Sequence, residues 1–346
     1  MKGSMIVLGS FHGHEAAALM IDGRLEDLLI DPADALPLAP GAILRATVDR
    51  PVKGQGGVFV RLPGGSGFLR ETGGLAPGQS LLVQVSGVAE PGKAVPVTTR
   101  ILFKSRFVIV TPGAPGINIS RAIRDADLRD DLTALADQAM AGNPHGLILR
   151  SACDGADETE IADDLLALRD LALAVMADDK GGPELLVDAP SPQDQAWREW
   201  PEAEVMDDAP GAFDRHDLPD QIAALLRPEV ALTGGGSMVI EPTRALIAID
   251  VNTGTDTSPA AALKANISAV RDLPRQLRLR GLGGQVVVDV APMPKRDRAT
   301  LEQQLRAALK RESAETTLAG WTPLGHLEIQ RKRDRAPLSL VLGGKA

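Results

Sequence analysis

Two aspartates stand where a reaction could be run. Asp250 ends the apolar run ALIAID, and Asp289 ends QVVVD. Both runs read as buried strands, and ligands of α/β sheets bind beyond the carboxyl ends of such strands. The stretch between them is long enough for one crossover helix. A right-handed crossover makes the two strands parallel, and adjacency would set the carboxylates side by side. Like charges that close repel unless a cation lies between them. Mg²⁺ suits that position, because it takes oxygen ligands and often uses only one or two carboxylates. Asn252, two residues past Asp250, shares its face and could hold a water or a phosphate oxygen. An Asp after a strand is also a common turn former or helix cap. The pair, with Asn252 and a basic helix nearby, is what makes a candidate site.

That helix carries Arg271, Arg275, Arg278 and Arg280. The first three are spaced i, i+4, i+7 and share one face. A row of guanidiniums suits phosphate recognition, and it equally suits a solvated face laced with salt bridges. The five histidines are scattered, and His12 and His14 would share one face of a strand. Cys153 has no partner and reads as a small buried side chain.

The elements that must position these groups lie in a chain of 346 residues, enough for two or three domains. Hydrophobic residues make up 44% and charged residues 24%, so a real core forms and global disorder is excluded. Six Phe, three Trp and no Tyr leave few rings for base stacking. One cysteine excludes a disulfide framework and a cysteine-paired zinc site. No apolar run is long enough to span a membrane. The first residues read as the start of the fold rather than a signal peptide, so a cytoplasmic location is expected. Charge is uneven. Residues 1–150 carry +1, residues 151–240 carry −16 and residues 241–346 carry +6, which gives the net −9. The acidic middle reads as a solubilising surface, and the basic last third could face phosphates.

Along the chain, residues 5–31 alternate as a three-strand meander with Gly23 in its second turn. A proline-rich connector follows. Residues 42–100 form short runs separated by Gly- and Pro-rich turns, the pattern of a small barrel. RILFKSRFVIVTPG reads as one further strand. DLRDDLTALADQAMAG is a helix ending at Gly142, HGLILRSA a strand, and ETEIADDLLALRDLALAVMADD a long helix with acids at its start. The last third reads as a hairpin (MVIEP, ALIAIDV), a helix that Pro274 should kink or split, a strand, a helix and a closing strand GHLEIQRKR.

GGGSMVIEPTRALIAIDVNTG followed by RQLRLRGLGGQVVVDV closely resembles the catalytic core of the ribonuclease E/G family. The ending GHLEIQRKRDRAPLSL, the meander, the barrel and HGLILRSA follow the family's order, so the resemblance covers nearly the whole chain. It implies an α/β multidomain fold with RNase H-like and DNase I-like layers, an inserted S1 (OB-type) barrel and a 5′-sensor region. The implied divisions are residues 1–39 and 184–230 (RNase H-like), 40–100 (S1 barrel), 101–183 (5′-sensor-like) and 231–346 (DNase I-like, catalytic). It implies an Mg²⁺-dependent endoribonuclease that cuts single-stranded RNA in processing or decay, including rRNA maturation. Asp250 and Asp289 would hold the metal, with Mn²⁺ as a substitute, and Asn252 would assist. Phe59, Phe68 and Lys93 on the barrel, with Arg275, Arg278 and Arg280, would hold RNA. Arg150 and Ser151 match the family's 5′-monophosphate sensor.

The sequence also departs from the pattern. The Cys-Pro-x-Cys zinc link and the small dimerisation domain of larger members have no counterpart here, so no zinc and no zinc-linked dimer are expected. The oligomeric state stays open. Pro292 stands where a second acid is usual, and Gly87 where the barrel has a lysine. These changes motivate an alternative, an RNA-binding adaptor that keeps the barrel without efficient catalysis. Metal chemistry alone would also suit a DNA nuclease.

Overall fold

The computed structural model describes residues 3–343, apart from residues 33, 34, 53–55, 71, 72, 91 and 257. The chain divides into two compact units: Leu38–Glu202, and Met1–Pro37 with Ala203–Ala346.

In the unit Leu38–Glu202, five strands close a barrel. Ile43–Val52, Gly57–Leu62, Gly65–Leu69, Val95–Thr98 and Ser80–Val85 pair in that order, and the last pairs back onto the first. Alternation drives it: Val58, Val60 and Leu62 point inward while Phe59 and Arg61 point out. Val48, Val60, Leu69 and Val83 are at most 1% exposed and fill the interior. A closed ring leaves no open strand edge among these five.

Beside it lies a four-strand sheet in the order Ile117–Ile119, Gly146–Leu149, Val108–Thr111, Phe103–Lys104. The helices Ala126–Ala139 and Glu158–Ala177 share its apolar core. Each helix starts at an aspartate whose carboxylate accepts a free backbone N–H, Asp125 from Leu128 and Asp157 from Thr159. The stretch expected as one strand from residue 101 is instead a hairpin. Ser105 turns the chain by bonding back to the Val108 carbonyl through its backbone N–H. Cys153 is fully buried in this core, and burial pushes its thiol up to about 11.

The strand Glu184–Val187 also joins this unit, antiparallel to the barrel strand Ile43–Val52. Buried Arg45 ties it there by pairing with Asp178 and Glu184. A backbone ladder and a matched charge thus hold residues 184–187 to the barrel, within the compact unit Leu38–Glu202.

In the other unit, Val205–Asp207 pairs in parallel with Ser4–Phe11, which continues through His14–Ile21 to Arg24–Ile30. Two tight turns make the meander, His12-Gly13 and Asp22-Gly23, all four residues at positive φ. A second sheet has six strands in the order Glu229–Ala231, Ser237–Pro242, Ile247–Asn252, Gly284–Asp289, Leu327–Arg331, Thr316–Trp321. The strand Thr316–Trp321 was not anticipated from the sequence. The helices Pro259–Leu279 and Arg298–Leu309 pack on one face of this sheet against Ile249, Val286, Val288 and Ile329. The opposite face stays open, since Asp250, Asn252, Asp289 and Glu328 are all exposed.

Pro274 neither ends nor splits its helix, which runs unbroken from Pro259 to Leu279. A mid-helix proline removes one backbone hydrogen bond. Here Val270, Leu273 and Leu277, each at most 1% exposed, anchor the helix on both sides of the proline.

Candidate active site

The two acid-bearing strands, Ile247–Asn252 and Gly284–Asp289, are parallel and adjacent. Asp250 is the direct ladder partner of Asp289, so both carboxylates leave the open face of the sheet at the same level. The inward residues Ile249 and Val288, at most 2% exposed, lock that register. A one-residue slip would bury both aspartates and expose the core.

Asn252 donates from its amide nitrogen to Asp250 Oδ2 at 2.8 Å. His326 Nε2 lies 3.8 Å from Asp289 Oδ1. Neither aspartate is paired with an arginine or lysine among the described residues. Asp250, Asp289 and His326, with Glu241, Val239 and Val287, line a shallow depression of about 280 Å³. Its donors are hard oxygens, which suits Mg²⁺ or Mn²⁺. Among the described residues no third acid, His or Cys completes a ligand group. That fits a cation which keeps most of its waters and takes further ligands from a phosphate.

Two features hold this edge in place. Gly236, at φ +85°, lies against the Asn252 carbonyl, and a β-carbon there would collide with it. The glycine turn thereby packs on the end of the Asp250 strand. Asn266 is fully buried on the helix. Its amide nitrogen donates to the Ala291 carbonyl at 2.8 Å, and its oxygen accepts from the Ala291 N–H at 2.9 Å. The chain leaving Asp289 is thus clamped two residues downstream. Asn266 was missed from sequence. The signal was a polar residue on the apolar stripe Ala262, Asn266, Ala269, Leu273.

The arginine row differs from expectation. Arg275 bonds Asp272 and the Leu25 carbonyl. Arg278 pairs with Glu26 at 2.6 Å and with Glu312. Arg280 is 6% exposed and bonds the Gln276 side chain. These three guanidiniums, expected from the sequence to hold RNA, bond carboxylates, a side-chain amide and carbonyls of their own unit. Arg271 bonds Gln304 instead. Burial, then the nearby charge of Arg275, pushes Arg280 down to about 10. Burial would raise Asp272, but Arg275, Gln276 and Arg24 outweigh it and hold the carboxyl low. Glu312 also pairs with Arg331 at 3.0 Å, and Asp27 with Arg335 at 2.5 Å. The segments RQLRLR and EIQRKRDR are therefore one ion network. Lys295 and Arg296, which follow Asp289, are exposed.

On the barrel, Phe59 and Phe68 are direct cross-strand partners with ring centroids 5.7 Å apart. Both rings are half-buried. Gly57 leaves the space that the Phe68 ring enters. Arg50, opposite Phe59 in the ladder, places its guanidinium 5.4 Å from that ring. The row Arg50, Phe59, Phe68 is a ready stacking surface, and Arg50 was not singled out from sequence. Lys93 is exposed and pairs with Glu90 at 2.5 Å.

Arg150 ends the strand Gly146–Leu149, and exposed Ser151 opens the short turn after it. The Arg150 fork donates to the Ser105 carbonyl at 2.5 Å, the Arg198 carbonyl at 3.0 Å and Glu199 Oε2 at 2.9 Å. An anion arriving at this fork competes with Glu199.

The two-aspartate edge on the six-strand sheet and the five-strand barrel belong to one chain. The sequence profile of the Ribonuclease E/G family matches residues 103–207 and 198–334. The chain belongs to that family. It is 28% identical to ribonuclease E of Nostoc sp. over 378 aligned positions, covering 92% of this chain and 54% of that protein. It is 28% identical to ribonuclease G of Escherichia coli K12, covering 77% of this chain and 62% of that protein. Against ribonuclease E of Synechocystis sp. the identity is also 28%, over 82% of this chain and 48% of the relative. The chain spans about half to three fifths of the length of these relatives. Among the described residues no helix is long and apolar enough to cross a membrane.

Proposed function

We propose that this protein is a divalent-metal-dependent endoribonuclease that cuts single-stranded RNA. The observation that carries the proposal is the in-register pair Asp250 and Asp289 on the open face of adjacent parallel strands. Asp250 and Asp289 are the residues that would hold Mg²⁺, with Mn²⁺ as a substitute. When bound, the ion supplies an activated water and neutralises charge on the phosphodiester. Asn252 restrains the Asp250 carboxylate through its amide and keeps a carbonyl oxygen for a water. Asn266 fixes the chain that leaves Asp289. Phe59, Phe68 and Arg50 receive bases, Lys93 lies on the same barrel, and Arg150 with Ser151 receives a 5′-phosphate. The sheet around Ser4–Phe11 is read as RNase H-like and the six-strand sheet as DNase I-like. RNA processing or decay, including rRNA maturation, and a cytoplasmic location belong to this reading.

The test is a 5′-monophosphorylated, labelled oligoribonucleotide incubated with the protein, with and without Mg²⁺, beside its DNA counterpart. Products from RNA alone, and only with the metal, are expected. Slowed migration without products would favour the adaptor, and equal cutting of DNA would favour a DNA nuclease.

A further inference from the structure

Trp197 is 56% exposed in a chain with only three tryptophans. Its helix, Pro192–Glu199, buries Ala196 and leaves the indole outside. Arg106 lies over the indole, its guanidinium carbon 4.0 Å from the ring centroid. The same guanidinium donates to the Trp197 carbonyl at 2.7 Å, so ring and cation are held together. Around this pair, Arg198 and Arg150 share Glu199, and Asp164 is bound to Ser105 and the Phe107 N–H. Arg106, Arg150 and Arg198 thus gather beside the indole, with Glu199 paired to the last two and Asp194 one turn earlier on the helix. A flat, cation-backed indole left open beside further guanidiniums suits a base with a phosphate attached.

We propose that Trp197 and Arg106 form a base-stacking platform for a nucleotide of single-stranded RNA, next to the Arg150 fork. The platform rests on the reading of the chain as an RNA-binding nuclease and extends it to a contact on the unit that holds the barrel. Arg106 sets the indole from one side, and a base covers what is left open. Arg198 and Arg150 supply the field that draws in the phosphates.

The test uses the full chain carrying Asp289→Asn, so that RNA stays intact, and a 3′-labelled single-stranded decaribonucleotide followed by fluorescence anisotropy. Trp197→Ala is expected to weaken binding roughly tenfold, and Trp197→Phe to restore most of it. Oligonucleotides with one abasic position in turn give the decisive comparison. One position should cost affinity in the parent and cost nothing further in Trp197→Ala, as coupled groups do in a double-mutant cycle. Trp197→Ala binding within twofold of the parent overturns the platform, as does an abasic penalty of equal size in both proteins. A Trp197→Ala change in protein mass in solution, with RNA binding unaltered, also overturns it and marks a protein interface instead. The nuclease reading fails separately: undiminished cleavage by Asp289→Asn, seen as shortened RNA on a gel, would sink it, and binding is then read with Mg²⁺ left out.

Discussion

Two charged regions lie on the same six-strand sheet unit and differ in what surrounds them. Along the helix Pro259–Leu279, Arg275, Arg278 and Arg280 meet carboxylates and carbonyls of their own unit. On the opposite side of the sheet, Asp250 and Asp289 stand together, exposed, and among the described residues no arginine or lysine is paired to them. Both sets come from segments that carry the family resemblance. The difference teaches that a shared motif holds two kinds of charge. Matched, buried charge fixes architecture. Unmatched charge on a rigid edge is open to a ligand.

The sharpest way to break this contrast is to neutralise the open side. Asp289→Asn keeps the shape and removes the charge, and cleavage should fall at least about a thousandfold. RNA binding should hold within a few-fold, as a gel shift would measure. On the matched side, Arg278→Met takes one of its two guanidinium partners from Glu312, which is 4% exposed at its side chain and keeps Arg331. Loss of one partner from such a pair costs about 3 kcal/mol of stability. Denaturant titration should register that loss, while RNA affinity of the folded protein stays unchanged. Weaker RNA binding at unchanged stability would instead return Arg278 to the RNA surface.

Asn266→Ala probes the joint between the two regions. It leaves the buried Ala291 N–H and carbonyl without partners, at about 2 kcal/mol. Cleavage per folded molecule should fall too, because the Asp289 end of the strand loses its clamp. Phe68→Ala should weaken oligonucleotide binding roughly tenfold, from one lost stacking partner. The smallest effect lies away from both regions. The bond from Arg215, then that from His216, holds Asp207 down at about 2. A lowered carboxylate stabilises the fold above its ordinary value of about 3.9 and loses that contribution as pH falls towards about 2. Asp207→Asn should therefore lower the melting temperature slightly at pH 6 and leave it unchanged near pH 2.

Much of this was legible because period and chemistry agreed. Apolar strands ending in Asp gave the adjacent parallel pair, and turn-spaced short runs gave the barrel. What escaped depended on contacts between distant residues. Nothing local announces that Arg278 meets Glu26 and Glu312, or that Asn266 meets Ala291. Pro274 reads as a break until the core on both sides of it is known. The strand Glu184–Val187 is short, and only its ladder to Ile43–Val52 and the buried Arg45 assign it to the barrel.

The central claim is that the two aspartates together hold one hard dication. Titration of Mn²⁺ into the purified protein, followed by electron paramagnetic resonance, counts that ion directly. The account predicts one bound ion per chain, displaced by Mg²⁺ and lost in both Asp250→Asn and Asp289→Asn. Undiminished Mn²⁺ binding in either variant would contradict it.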